Sequence, residues 1–256
     1  MAIEPVKIYA VWLREIKRFL NSKSRMVGSL AMPLLFLVAL GGGFSSFLPA
    51  GSVPGGVSYS TYLLPGIVAM TILFTSIFSG VSIIWDREFG FLKEMLAAPT
   101  GRENIVFGRT LGGATTAIIQ GLMILVIGLV ITGAPLPSPL HMAGAFVFMS
   151  FLSCFLVAVG IAIASTLQEV ETFQLVMNLI VMPLFFLSNA LIPIEKMPGI
   201  LKGVTTLNPI TYAVDGLRDL MIGQGTLGLP LDFAVCLVGF IVALAVATYL
   251  FSKTAI

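Results

Sequence analysis

Six apolar runs, each near the ~20 residues a helix needs to cross the hydrocarbon core of a bilayer, fill most of this 256-residue chain. They span Met26–Leu48, Tyr62–Trp85, Ile105–Thr132, Met142–Leu167, Phe173–Leu191 and Phe233–Phe251. The connectors between them leave almost no room for a water-soluble domain. Hydrophobic residues make up 57% of the chain and charged residues only 10%, against about 25% charged in an average soluble domain. A soluble protein so poor in charge would expose large apolar patches and aggregate. The expected fold is therefore an all-α membrane protein with about six transmembrane helices. Such a chain moves something, senses something, or holds another protein at the membrane.

The first 25 residues do not read as a cleavable signal peptide, because the charged segment precedes a full-length span rather than a short apolar region with a small-residue cleavage site. On a helical wheel of Val6–Asn21, Ile8, Val11, Trp12, Ile16, Phe19 and Leu20 share one arc, and Lys7, Arg14, Lys17, Arg18 and Asn21 the other. That pattern predicts an interfacial helix within residues 1–25, its basic face toward anionic headgroups, with Glu15 as the exception at the edge of the apolar arc. Residues 26–256 form the membrane domain. Pro33 and Pro183 fall inside spans, where neighbouring helices can re-satisfy the freed carbonyl, so kinks are expected rather than breaks. The connectors Pro49–Thr61 and Gly133–Leu140 are uncharged and rich in Gly and Pro.

Charge sets the orientation. With a cytoplasmic N-terminus, eleven of the fourteen Lys and Arg residues lie inside, and only Lys196, Lys202 and Arg218 lie outside. The positive-inside rule then places both termini in the cytoplasm, as an even number of spans requires. Cys154 and Cys236 fall in apolar runs, where small buried thiols are expected rather than a disulfide. His141 is the one histidine, with no second His or Cys to share a metal. The chain contains no Gly-x-x-x-x-Gly-Lys-Ser/Thr loop, no His-Glu-x-x-His and no Gly-x-Ser-x-Gly. No catalytic, cofactor-binding or metal site is expected, and no nucleic-acid partner.

Two connectors carry the informative chemistry. The cytoplasmic one, within residues 86–104, balances acidic and basic residues around Phe89, Leu92, Lys93 and Leu96, spaced for one helical face and ended at Ala98-Pro99-Thr100-Gly101. It suits docking into a groove on a partner, or equally a helix lying on the membrane. The external one, residues 192–232, contains Asn208-Pro209, a helix start with Asn208 as cap. Asp215 and Arg218 follow as neighbours able to pair, with Val214, Leu217 and Met221 on an apolar face. It reads as a re-entrant or interfacial helix closing the outer side. Within the spans, Gln120, Gln174, Asn178 and Asn189 suit hydrogen bonds between helices, and Gly113, Ala117 and Gly121 mark a close-packing face. No ionisable side chain lies clearly mid-span, which argues against a proton-coupled carrier. Phe36, Phe44, Phe74 and Phe78 form an aromatic series that either lines a path or faces lipid.

Taken together, Arg87-Glu88-x-Gly90-x-x-Lys93-Glu94-x-Leu96-x-x-Pro99, then Asn189-Ala190-Leu191-Ile192-Pro193, Met197-Pro198 and Asn208-Pro209-x-x-Tyr212-x-x-Asp215-x-x-Arg218, in this order, resemble the permease subunits of ABC-2 type ATP-binding-cassette exporters. The bacterial branch that exports drugs and antibiotics, of the daunorubicin self-resistance kind, is most similar, and the resemblance covers essentially the whole chain. It implies a multi-pass subunit of the cell inner or plasma membrane that pairs with a second copy of itself and with two copies of a cytoplasmic ATPase, which holds the ATP and Mg. It implies that Arg87, Glu88, Phe89, Gly90, Lys93, Glu94 and Leu96 form a coupling helix on that ATPase. It further implies that Asn208, Pro209, Tyr212, Asp215 and Arg218 form an external gate. The short, uncharged Pro49–Thr61 connector departs from branches with large external insertions. The cargo is then an amphipathic drug, antibiotic or lipid. A lipid-linked saccharide is the alternative within the fold, and a non-transporting immunity or sensor protein that docks an ATPase is the alternative of another class.

The orientation is directly testable. In a chain freed of its native cysteines, a membrane-impermeant thiol reagent applied from outside should label Cys placed at Ser138 but not at Lys23; the reverse pattern overturns the orientation.

Overall fold

The computed structural model describes residues 4–45, 53–97 and 101–254. The end of the first span, the start of the Pro49–Thr61 connector and the Ala98-Pro99-Thr100 stop lie outside the described residues. Within them the chain is helical: α1 (Pro5–Leu20), α2 (Lys23–Phe36), α3 (Tyr59–Ser79), α4 (Val81–Glu88), α5 (Phe91–Ala97), α6 (Arg102–Thr132), α7 (Pro139–Thr166), α8 (Val170–Phe186), α9 (Gly199–Leu207), α10 (Pro209–Ile222) and α11 (Leu229–Ser252). No strand is present among the described residues. The expected all-α membrane fold is the observed one. Five helical stretches are long and apolar enough to span: Met26–Ser45, Tyr59–Glu88, Arg102–Thr132, Pro139–Thr166 and Leu229–Ser252. The sixth apolar run, α8, has 17 residues, at the short end of what crosses a bilayer.

The core is built on α3. Every residue from Thr61 to Leu73 is buried, as expected for a helix that is apolar all round and so has no face to give to water. It packs against α6, α7 and α10, and α7 in turn packs along α11. Small residues set how near these axes come. A Cβ on Gly80 or Gly160 would overlap backbone atoms of the opposing helix, at Gly160 and Ile77 respectively, so α7 crosses the α3–α4 junction backbone to backbone. The Gly113–Ala117–Gly121 face expected from spacing is buried. Gly113 faces Ser79 and Val157, and Gly121 faces Ile72 and Met149. Pro33 leaves α2 unbroken. Beyond it Leu37–Gly42 take the wider π register, a local adjustment that absorbs a disturbed hydrogen-bond ladder.

Two expectations change. The fifth span ends at Phe186 rather than Leu191. Asn208 Nδ2 caps the Leu184 carbonyl at 2.6 Å and Ser188 Oγ caps that of Phe185 at 2.7 Å, so side chains from outside the helix satisfy its last turn. Helix α1 is the amphipathic N-terminal helix expected, but Arg14 on its basic face turns to Asp86 rather than outward. At about 46 Å, the 31 residues of α6 are longer than the hydrocarbon core is thick, and α1 lies along its N-terminal part. Glu4 N donates to Asn104 Oδ1 at 3.1 Å and Trp12 Nε1 to Thr115 Oγ1 at 3.1 Å. Cβ atoms on Gly108 and Gly112 would come within 2.6 Å of Val11 and Glu15. Contact this close requires glycine on α6.

Both described ends of the chain meet at this end of the bundle: Glu4 binds Asn104, and Arg102 donates to the carbonyl of Thr254 at 3.2 Å. The backbone crossing yields a stability prediction. Gly160→Ala should destabilise the purified chain by about 1–3 kcal/mol through overpacking, seen as a lower melting temperature in detergent. Gly203→Ala, on an exposed helix with open space around its Cβ, should leave the melting temperature unchanged or raise it slightly.

Candidate functional site

At the end of the bundle where the termini meet, the connector that begins at Asp86 folds as an elbow. Helix α4 continues the second span to Glu88; Gly90 then turns the chain with φ +79° and α5 begins at Phe91. That dihedral lies in the left-handed region open to glycine at little cost. The helix therefore starts two residues later than the Phe89 spacing predicted. Leu92 is buried, and the side chain of Leu96 lies outside the described residues.

The elbow is held by a charge cluster centred on Asp86. Arg14 of α1 donates to both carboxylate oxygens at 2.6 Å, and Arg109 of α6 pairs with Oδ2 while donating to Ser82 Oγ at 3.0 Å. Asp86 and Arg109 are buried. Arg14 Nη1 also reaches Met95 Sδ of α5 at 2.9 Å, and its guanidinium stands 5.8 Å from the Phe91 ring centre. One carboxylate thus joins α1, α4 and α6, with α5 attached through Arg14. Two of the four basic residues of α1 turn toward the protein, Arg14 at this cluster and Arg18 over the Trp85 ring at 5.3 Å, whereas Lys17 is exposed.

Around this anchor the residues expected to couple divide in two. Arg87 turns inward, donating from Nη1 to the Leu167 carbonyl at 2.9 Å, and so ties the elbow to the turn between α7 and α8. Glu88, Phe89, Lys93 and Glu94 are exposed. Phe89 is 74% exposed, and Phe91, absent from the expected set, is 52% exposed. Two aromatic rings standing in the open and flanked by both charge signs form a compact amphipathic knob.

At the opposite end lies a helical hairpin, α9 and α10. Asn208 caps α10, its Oδ1 accepting from Ile210 N at 3.0 Å, with Pro209 at the first position, as the sequence predicted. Tyr212 Oη donates to the Thr206 carbonyl at 2.7 Å and closes the corner. Asp215 and Arg218 are buried but do not pair with each other. Asp215 accepts from Asn189 Nδ2 at 3.2 Å, Thr226 Oγ1 at 2.9 Å, and the backbone N–H groups of Thr226 and Leu227 at 2.8 Å each. Arg218 donates to the carbonyls of Asn189 at 2.9 Å and Ala190 at 3.4 Å, and its guanidinium lies 3.9 Å from the Tyr62 ring centre. Gly66 admits the Ala190 carbonyl against α3, because a Cβ there would come within 2.6 Å of that oxygen. The five expected gate residues thus serve one structure: Asn208, Pro209 and Tyr212 shape the hairpin, and Asp215 and Arg218 bind it to the Asn189–Ala190 turn.

Sequence reasoning missed Asp86 and its partners Arg14 and Arg109, and also Tyr62. A signal was present in part. Asp86 and Arg109 bound the connector where it meets apolar runs, the place where a charge must find a partner or a hydrated surface.

With this geometry in hand, comparison with known proteins is decisive at the level of family. Residues 6–222 match the model of the ABC-2 type transporter family. The chain is 33% identical over 202 residues to the "Putative transport permease ycf38" of Porphyra purpurea, covering 75% of this chain and 66% of that protein. It is 28% identical over 249 residues to the "Inner membrane transport permease YadH" of Escherichia coli K12, covering 93% and 91%. It is 24% identical over 247 residues to "Nodulation protein J" of Rhizobium leguminosarum bv. viciae, covering 95% and 93%. The chain belongs to the ABC-2 type transporter family.

Removing the central carboxylate leaves two arginines uncompensated. Asp86→Asn should therefore destabilise the chain by about 3–5 kcal/mol, measured by thermal unfolding in detergent. Arg109→Ala, which strips the buried partner, should cost more than Arg14→Ala, whose side chain is 35% exposed.

Proposed function

We propose that this chain is the membrane-spanning subunit of an ATP-driven exporter, working as a homodimer with two copies of a separate cytoplasmic ATPase and moving an amphipathic drug, antibiotic or lipid outward. The observation that carries this reading is the knob of Glu88, Phe89, Phe91, Lys93 and Glu94, exposed at the end of the bundle and anchored by a buried ion pair. An exposed aromatic pair with a charged rim has the makeup of a protein-binding hot spot. Its anchoring supplies the rigidity needed to pass a partner's movement on. The bundle end that carries the knob also holds eleven of the fourteen basic residues under the cytoplasmic orientation, so an ATPase inside the cell meets it. The outer hairpin then closes the exit. Multidrug efflux follows as the working role, with the ATP and Mg in the partner subunit.

The test is co-expression with an ATP-binding-cassette ATPase encoded beside this gene. Transport should require ATP hydrolysis by that partner and persist when the proton gradient is collapsed at constant ATP; loss of efflux under an uncoupler would favour a secondary carrier. Glu88→Lys inverts charge on the rim, where like-charge juxtaposition costs on the order of a few kcal/mol. Gly90→Pro imposes a φ near −65° on a position at +79°. Both variants should insert in the membrane yet lose stimulated hydrolysis and transport. Normal stimulation in both would place the docking surface elsewhere.

A further inference from the structure

A cavity of about 370 Å³ opens between the end of α1, α2, the α3–α4 rod and α6. Its walls are mostly apolar, with Met32, Phe74, Phe78 and Trp85 among them. Phe74 and Phe78 stack with centroids 6.3 Å apart and planes 7° from parallel. The hydroxyl groups in the lining are already committed within their own helices: Thr71 donates to Ile67 O at 2.9 Å, Thr116 to Gly113 O at 2.8 Å and Ser29 to Met26 O at 3.0 Å. Thr75 is taken up by Gln120.

Glu15 differs. It is the acidic residue in the lining, its Oε1 is buried, and that atom has no hydrogen-bond partner. Arg18, one turn further along α1, lines the same cavity but lies over Trp85, and among the described residues no ion pair joins it to Glu15. The position of Glu15 follows from the packing of α1: its Cβ rests where Gly112 has no side chain, which holds its stem against α6. A buried acceptor left unpaired is costly. A cation with hydrogens to donate satisfies it. An alkyl or aromatic body fits the apolar remainder, and the volume suits one small ligand.

We propose that this cavity binds an amphiphile with a protonated amine head and an apolar body, the Glu15 carboxylate accepting the hydrogen bonds of the ammonium. The inference rests on the exporter reading only in making such a molecule a cargo, since binding itself needs no ATPase. Glu15 lies next to Arg14 of the Asp86 cluster, so the head of the ligand sits at the elbow end and its body extends toward Phe74 in the second span.

The test uses the full-length chain with Trp12→Phe, which leaves Trp85 as the fluorescent reporter in the cavity wall, in nanodiscs of phosphatidylglycerol. Brominated dodecylammonium is titrated as quencher beside brominated dodecanol. Glu15→Gln should weaken saturable quenching by the ammonium probe about tenfold or more and leave the alcohol within about twofold. Gly28→Leu, which adds a side chain at a lining position with open space around it, should weaken both probes. Equal binding of the ammonium probe by the Glu15→Gln and parent chains overturns the proposal, and so does unchanged binding of both probes by Gly28→Leu. Added phosphatidylethanolamine identifies the source: displacement of the probe assigns the site to a lipid amine, and no displacement assigns it to a soluble one. Failure of binding would leave ATP-driven export untouched, and an ATPase that does not couple would leave this binding untouched.

Discussion

A polar group inside a bilayer-spanning bundle has no water to fall back on, so each one must find its partner in the protein or remain near a surface. This chain gathers its strongest buried interactions at the two ends of the bundle. Near one end Asp86 is shared by Arg14 and Arg109. Near the other, Asp215 accepts four hydrogen bonds and Arg218 caps two carbonyls while stacking on Tyr62. Between them the core is held by apolar packing and close glycine contacts, with neutral pairs such as Thr75–Gln120.

The two clusters are linked by one element. The helical stretch Tyr59–Glu88 bears Tyr62 under Arg218 at one end and Asp86 in the elbow cluster at the other, with the close crossing at Gly80 between. Packed interiors resist compression and transmit displacement, so a movement imposed on the elbow has a continuous buried path to the hairpin. The α1 helix enters the same path through Arg14. Its neighbour Glu15 lines the cavity, beside the anchor of the exposed knob.

A single sequence carried much of the architecture because period and composition are local properties. The apolar runs, the cap at Asn208-Pro209, the buried face Val214–Leu217–Met221 and the Gly113–Ala117–Gly121 stripe were all legible from spacing. What local pattern could not carry was pairing at a distance. Asp215 and Arg218 looked like partners because they are three residues apart, yet Asp215 binds Asn189, Thr226 and Leu227 and Arg218 binds the Asn189–Ala190 turn, groups outside their own helix. Arg14 and Arg18 looked like part of a headgroup-facing surface because the groups they meet lie on α4 and α5, more than sixty residues away. Glu15 stood out as an irregularity on the wheel, with no means of saying what it faced.

By itself, then, the sequence determined that this protein lives in a membrane, how many apolar helices it builds and which connectors carry its charge, since burying apolar surface and satisfying backbone groups within a helix are decided over a few turns. Only the tertiary structure decided which charges meet, where the fifth span ends and which rings stand exposed at the elbow. Those outcomes depend on the closeness of helix axes, set by glycines such as Gly80, Gly108, Gly112 and Gly160 against backbone or side chains of other helices, and on ion pairs that exist only once those helices have closed.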